Sequence, residues 1–454
     1  ILAEPDLASN TLSNVNVPAL AIRGESIGQD MTLRQYEFAG YTNITQVLTA
    51  GTLTVQLGAT LTIEPGVVLK LSDQSYTPFR ANISIYGGLQ ADASQGDPII
   101  FTSVRDDSVG NPADTNSDGS ATTPASGNWG RLYYDEVSDD AVNILRNVQV
   151  RYGSNSTSNY GMIWMSSAAP TFIDCTFESA GHGMGILGAS APVLTDCSFD
   201  GFASTPIRMS LISNPVFSGT HFGPNNGYNA LGIHGETLAQ NATIRRRDMA
   251  QVANIPYVLL GNVIAGYSSV LFVEPGVIVK GAGANITIRR GFMSQGGTDQ
   301  DDQIVFTSVT DDFYGGDTNN DGNATAAGQT RWGRIIIDNE AIDDSTLVSN
   351  TVFRYGYNNA SYGTIEINSA NPEFQDCQFA YNGIALDYKG TSGDPAEGWI
   401  HGCDFLSNTY YAVRNQGRAL TVDATGNWWG HASGPLDDSD DTGSGGWYNH
   451  DGLG

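Results

Sequence analysis

The sequence predicts an all-β fold, a parallel β-helix (β-solenoid) made of two tandem duplicated units with inserted loops. Three observations predict it: a composition of strands and turns, a long internal duplication, and a period near 22 residues inside each copy.

Composition comes first. Hydrophobic residues are 40% of the 454, enough for a sizeable core. Gly is abundant (54), Ser, Thr and Asn are dense, and long stretches rich in Ala, Glu, Lys, Leu and Arg are missing. That balance favours many short strands and turns over helices.

The duplication is the strongest signal. Ala19-Leu-Ala-Ile-Arg-Gly-Glu-Ser-Ile-Gly recurs as Ala230-Leu-Gly-Ile-His-Gly-Glu-Thr-Leu-Ala. Glu64-Pro-Gly-Val-Val-Leu-Lys70 recurs as Glu274-Pro-Gly-Val-Ile-Val-Lys280, and Phe101-Thr-Ser-Val as Phe306-Thr-Ser-Val. Trp129-Gly-Arg returns at Trp332, Arg151-Tyr-Gly at Arg354, and Asp174-Cys at Asp376. The order never breaks, so the repeat is a structural unit rather than chance. The reading divides the chain into the end of a preceding coil or an N-terminal cap (1–18), a first unit (19–229), a second unit (230–429) and an acidic Gly-rich tail (430–454).

Within a unit, Pro170-Thr-Phe-Ile-Asp-Cys-Thr-Phe177 is followed by Pro192-Val-Leu-Thr-Asp-Cys-Ser-Phe199 and Pro215-Val-Phe-Ser-Gly-Thr-His-Phe222. In the second unit Phe379, Phe405 and Trp428 keep a similar spacing. Apolar and polar residues alternate, as in half-buried strands. One coil cannot bury its inward face alone; stacking coils at about 4.8 Å closes the core and aligns like residues in ladders. Phe177, Phe199 and Phe222 are therefore expected inward, with Cys175 over Cys197, and Asp174 over Asp196 outward. The Cys pairs read either as buried thiols or as a disulfide between coils, although in-register parallel strands suit the disulfide torsion poorly.

Two Asp-rich loops carry the clearest chemistry. Asp114-x-Asn116-x-Asp118-Gly119 and Asp317-x-Asn319-x-Asp321-Gly322 place oxygen ligands at positions 1, 3 and 5 with Gly at 6, the first half of an EF-hand-type Ca²⁺ loop. Ala125 and Gly328 stand where the bidentate Glu belongs, so other carboxylates must complete the shell. Asp106-Asp107 and Asp311-Asp312, upstream in both copies, are the natural suppliers. The plainer alternative is a polar Asx-turn loop with no ion. The acidic stretch Asp437-Asp438-Ser-Asp440-Asp441 reads as a solvated tail or a further cation site.

Charge narrows the partners. The formal net charge is −27, which repels phosphate backbones and makes nucleic acid a poor partner. No run of 18 apolar residues occurs, so no transmembrane segment is expected. Four Cys without CxxC spacing argue against zinc. Catalytic groups are harder to find. Arg151, Arg354, Arg208, Asp174 and Asp196 are the ingredients of a lyase-like site, yet Arg151 and Arg354 are duplicated, and duplicated residues read as structural. The six His form no metal or triad spacing. No catalytic residue is assigned. Tyr133-Tyr134 and Trp428-Trp429 read as sugar-stacking rings or as core and cap residues.

Three strings resemble the large bacterial surface proteins with right-handed parallel β-helix repeats. They are Leu61-Thr-Ile-Glu-Pro-Gly-Val-Val-Leu-Lys70, Ile100-Phe-Thr-Ser-Val-Arg-Asp-Asp107 with the Asp-rich loop and Trp-Gly, and Thr425-Gly-Asn-Trp-Trp-Gly-His-Ala-Ser-Gly-Pro435. The resemblance covers almost the whole chain and implies a right-handed coil in an exported protein. Similar β-helices also occur in polysaccharide lyases and hydrolases. The expectation is an extracellular or cell-surface, calcium-stabilised structural or adhesive protein: a rod, stalk, sheath or filament subunit. Its expected partners are calcium, a cell-surface polysaccharide or copies of itself end to end. The alternative is a polysaccharide-active enzyme or a carbohydrate-binding module. The stretch Asn10–Pro18 resembles the close of a preceding coil, so a longer array is expected.

Overall fold

The computed structural model describes residues 7, 10–13, 15–73, 80–154, 161–390, 398–416, 422–430 and 434–435. The chain divides into two compact units, Ile1–Leu231 with Met249–Ala253, and Gly232–Asp248 with Asn254–Gly454. Among the described residues the elements are short parallel strands and two 3-10 turns, Gln300–Asp302 and Asp343–Ser345. None of them is a helix long and apolar enough to cross a membrane.

In the first unit each coil gives one strand to each of three sheets. Val68–Leu71, Ile99–Ser103, Val148–Arg151, Thr176–Glu178 and Ser198–Asp200 lie in the first sheet. Asn82–Ile85, Leu132–Tyr134, Ile163–Ser166, Met184–Leu187 and Ile207–Met209 lie in the second, and Gly88–Asp92, Ile144–Arg146, Thr171–Ile173 and Val193–Thr195 in the third. Parallel neighbours need a crossover, and the remainder of each coil supplies it. The second unit repeats the plan, with Ile278–Gly281, Ile304–Ser308, Thr351–Arg354, Gln378–Ala380 and Asp404–Leu406 in one of its sheets.

Alternation decides which residues fill the coil. In the first unit Leu69, Phe101, Val150, Phe177, Phe199 and Phe222 form one in-register column. The Phe177 and Phe199 rings stack at 4.7 Å, and Phe222 meets Phe199 edge-on at 5.8 Å. In the second unit Phe306, Phe353, Phe379 and Phe405 stack with centroids 5.1–5.3 Å apart. Each fully buried ring contributes roughly 1.5–3 kcal/mol. That column ends on Trp429, 4.8 Å from Phe405, and not on Trp428, which is exposed. The repeat spacing points to Trp428; strand parity selects its neighbour. All four Cys are buried free thiols, and burial raises the thiols of Cys175 and Cys377 well above the usual range.

The corners explain the Asp residues between paired strands. Asn147, Asp174, Asp196 and Gly219 occupy one corner column with φ of 51°, 52°, 51° and 61°. Asn350, Asp376 and Gly402 repeat it in the second unit with φ of 45°, 52° and 66°. Only Gly, Asn and Asp tolerate this left-handed region readily. Asp174 and Asp196 are exposed, as expected, and their corner conformation explains the residue type. Asp174→Val is expected to lose about 1–2 kcal/mol from the backbone strain, while Asp174→Gly stays near wild type. Urea midpoints of the two variants check this.

Candidate metal centres

Each Asp-rich loop folds on its first carboxylate. Asp114 Oδ1 accepts from the Asp118 amide at 3.1 Å and its Oδ2 from the Gly119 amide at 3.0 Å. In the second unit Asp317 accepts from the amides of Asp321 and Gly322 at 3.1 and 2.8 Å. Left-handed Ser117 and Gly119, and Asn320 and Gly322, make the turn tight. Asn116 and Thr122 both donate to Asp118 Oδ2, as Asn319 and Thr325 do to Asp321 Oδ2. Thr122 and Thr325 stand at the ninth loop position in both copies, a signal the sequence carries and the position-1-3-5 pattern overlooks.

Asp107, Asp114 and Asp118 bring carboxylate oxygens within 4.8 Å of one another, and Asp312, Asp317 and Asp321 do the same. Burial first, then the charge of Asp114, push the Asp107 carboxyl above its ordinary value, with Asp118 adding to the rise and Lys70 opposing it. Asp312 is raised for the same reasons. Asp107 Oδ1 and Asn116 Oδ1 are buried without a hydrogen-bond donor, and so are Asp312 Oδ1 and Asn319 Oδ1. A buried acceptor left unmade costs about 1–3 kcal/mol. The internal hydrogen bonds are those of an Asx-type loop, but they leave the same two oxygens unsatisfied in each copy. An all-oxygen cluster of three carboxylates and an amide fits a hard cation.

The upstream Asp pairs divide. Asp107 and Asp312 join the clusters, whereas Asp106 and Asp311 turn to ion pairs with Arg151 and Arg354. Asp106 Oδ2 lies 3.0 Å from Arg151 and accepts from Thr102 Oγ1 at 2.6 Å. Asp311 Oδ2 lies 3.1 Å from Arg354 and accepts from Thr307 Oγ1 at 2.6 Å. Burial opposes ionisation of Asp106, but hydrogen bonds from Ser108 and Thr102 and the Arg151 charge outweigh it and hold the carboxyl low. In each pair one side chain turns to the ion pair and the other to the loop.

These contacts close a circuit under each loop. Lys70 Nζ donates to the carbonyls of Asp106 and Ala113 at 2.8 and 2.6 Å. Lys280 Nζ donates to those of Asp311 and Gly316 at 2.9 and 2.8 Å. Both ammonium groups are buried, and burial brings each pKa down to about 8 against the pull of the nearby Asp charges. Trp129 Nε1 donates to the Arg151 carbonyl at 2.8 Å, and Trp332 Nε1 to that of Arg354 at 2.9 Å. Lys, Asp, Arg and Trp thus pin both ends of the excursion to the coil. Two of the three Lys in the chain do this, a clue available in the duplicated Glu-Pro-Gly strings.

The remaining candidates scatter. Arg151 and Arg354 belong to these circuits. Arg208 is largely buried beside His182, whose pKa falls to about 4 through burial and then the Arg208 charge. Tyr134 is fully buried, which removes it from the sugar-stacking candidates. Asp437, Asp438, Asp440, Asp441, His431 and His450 lie outside the described residues. One cluster has no counterpart among the described residues of the first unit. Glu366 and Asp387 stand in register on adjacent coils, with Arg414 in register on the next. Arg414 pairs with Asp387 at 2.7 Å, Arg334 with Glu366 at 2.6 Å, and Lys389 with Glu366 at 2.9 Å. Sequence patterns missed it because the partners lie 21–32 residues apart.

Comparison with curated proteins gave no match. Among solved structures, the catalytic domain of GH87 alpha-1,3-glucanase in complex with nigerose is similar at 12% identity over 94% of this chain and 70% of that chain, with a TM-score of 0.25. An aspartate-to-alanine variant of that domain, also with nigerose, is similar at 11% identity over the same shares, with a TM-score of 0.25. Residues 133–249 match the family model described as right handed beta helix region. With that match, and with parallel three-sheet coils throughout both units, the protein is an all-β, right-handed parallel β-helix.

Proposed function

We propose that this β-helix is an extracellular structural or adhesive surface protein whose two long loops are each fastened by one calcium ion. The observation that carries the reading is the paired cluster: three carboxylates close together in each unit, with one of their oxygens and the amide oxygen of the same loop's Asn buried and unsatisfied at equivalent positions in both. Asp107, Asp114, Asn116 and Asp118 would hold one ion, and Asp312, Asp317, Asn319 and Asp321 the other. Duplication supports a structural role, since each ion belongs to a repeated scaffold element with its own Lys–Asp–Arg–Trp circuit. Without the bidentate Glu, affinity is expected near the 10⁻⁴–10⁻³ M range typical of extracellular calcium modules.

Equilibrium calcium titration tests the proposal. Two ions per chain are expected, one in either Asp118→Ala or Asp321→Ala, and none in the double variant. A stoichiometry that the variants leave unchanged would sink the assignment.

A further inference from the structure

The duplicated units separate scaffold from function. Trp129, Arg151, Lys70 and the loop ligands recur because each unit needs them; a residue that differs at an equivalent, in-register position is free of that duty. The outward column of the first unit's second sheet differs in this way. There Ser84, Tyr133, Trp164 and Gly185 lie in register on successive coils. The second unit places Thr287, Ile336, Glu366 and Asp387 in the matching column. Its Glu366 and Asp387 are tied up in ion pairs with Arg334, Lys389 and Arg414. The first unit instead presents part-exposed rings.

Thr52, Ser84, Tyr86, Arg131, Tyr133 and Trp164 line a hollow of about 480 Å³ on this face. Tyr86 and Tyr133 meet edge to face at 6.2 Å. Tyr133 donates to Asp135 at 2.8 Å, which fixes its ring. The Arg131 guanidinium sits 5.9 Å over the Trp164 ring. Gly185 makes room for that indole on the next coil: a Cβ there would come within 2.7 Å of Trp164 Cε3. Glycine thus lets a large ring lie against the sheet, where its counterpart Asp387 fills the space with a side chain.

We propose that this hollow binds a neutral polysaccharide. Rigid aromatic rings supply apolar faces for the axial C–H groups of a pyranose, and the electron-rich ring face attracts those polarised hydrogens. Thr52, Ser84 and Arg131 supply hydroxyl and guanidinium groups at the rim for sugar hydroxyls. The coil step of about 4.8 Å is close to the length of one sugar residue, so successive coils meet successive sugars. Net charge decides the class: at −27 the protein repels a polyuronate or sulfated glycan. The site shares no residue with the ion clusters.

Affinity electrophoresis in gels cast with soluble neutral glucans, mannan or xylan, and separately with polygalacturonate, tests it. The calcium-saturated full chain is expected to be retarded by at least one neutral polymer and not by polygalacturonate. Trp164→Ala and Tyr86→Ala are each expected to weaken retardation at least tenfold, while Thr287→Ala in the second unit leaves it unchanged. Circular dichroism confirms that the variants compared are folded. The proposal is overturned by no retardation in any neutral gel, by retardation in polygalacturonate alone, or by folded Trp164 and Tyr86 variants that bind like wild type. Repeating the run with Asp118→Ala and Asp321→Ala combined separates the two readings, because a folded double variant keeps its retardation.

Discussion

Chelation of calcium is expected to lower the thermal midpoint by about 5–10 °C. An ion that binds only the folded chain stabilises it by about 2.7 kcal/mol per site at a hundredfold excess over its dissociation constant, and for units of this size each kcal/mol shifts the midpoint by about 2–4 °C. Burial first, and then the like charges of the cluster, hold the Asp107 and Asp312 carboxyls above their ordinary values. That repulsion gives a test with a change of sign. Asp107→Asn keeps the shape and removes one charge. In calcium it is expected to destabilise, by losing a ligand; in EGTA it is expected to match or exceed wild type, by relieving Asp114 and Asp118. Differential scanning calorimetry in both buffers reads the two signs. Equal destabilisation in both would show that Asp107 has no ion to hold. Magnesium at the same concentration is expected to restore little, because it demands a tighter octahedron and keeps its water.

Lys70→Met is expected to cost about 3 kcal/mol. The ammonium is buried and satisfies two carbonyls, those of Asp106 and Ala113. Met retains most of the volume but donates nothing. Each carbonyl left unsatisfied costs about 1–3 kcal/mol, and removing one partner from a buried charged network is of similar size. The lost positive charge also leaves Asp106, Asp107 and Asp114 less compensated. Lys280→Met is expected to behave alike through Asp311 and Gly316. Urea unfolding in saturating calcium measures the loss. Calcium titration of the same variants adds a second reading: the affected loop is expected to bind more weakly, since its two anchoring carbonyls are no longer held. A variant with wild-type stability and wild-type affinity would show that the Lys circuit does not support the loop.

Much of the molecule was legible without coordinates. The Phe177, Phe199 and Phe222 ladder, the inward Cys pairs and the outward Asp174 and Asp196 follow from a two-residue alternation inside a 22-residue period, while the structure decided that the Cys are free thiols. Loop strings that differ only at Ser117 and Asn320 marked, in both copies, where the acidic clusters form. Three things were not legible. Asp106 and Asp107 are equivalent as letters, and packing against Arg151 and Thr102 chose between them. Trp428 and Trp429 are likewise neighbours of one type, and strand parity sent the second one onto Phe405. The corner Asp residues looked like a charge column, while their left-handed φ was invisible in the sequence.

The sequence by itself determined the coil and its duplication, because both are properties of spacing along one chain. A period, an alternation and a repeated string need no third dimension to be read. Only the tertiary structure decided what each outward face presents. Tyr133 and Trp164 are 31 residues apart, and Glu366 and Arg414 are 48 apart. Each set becomes one surface only when in-register coils stack its members side by side. The two units therefore share one scaffold while exposing an aromatic hollow in the first and a closed ion-pair network in the second.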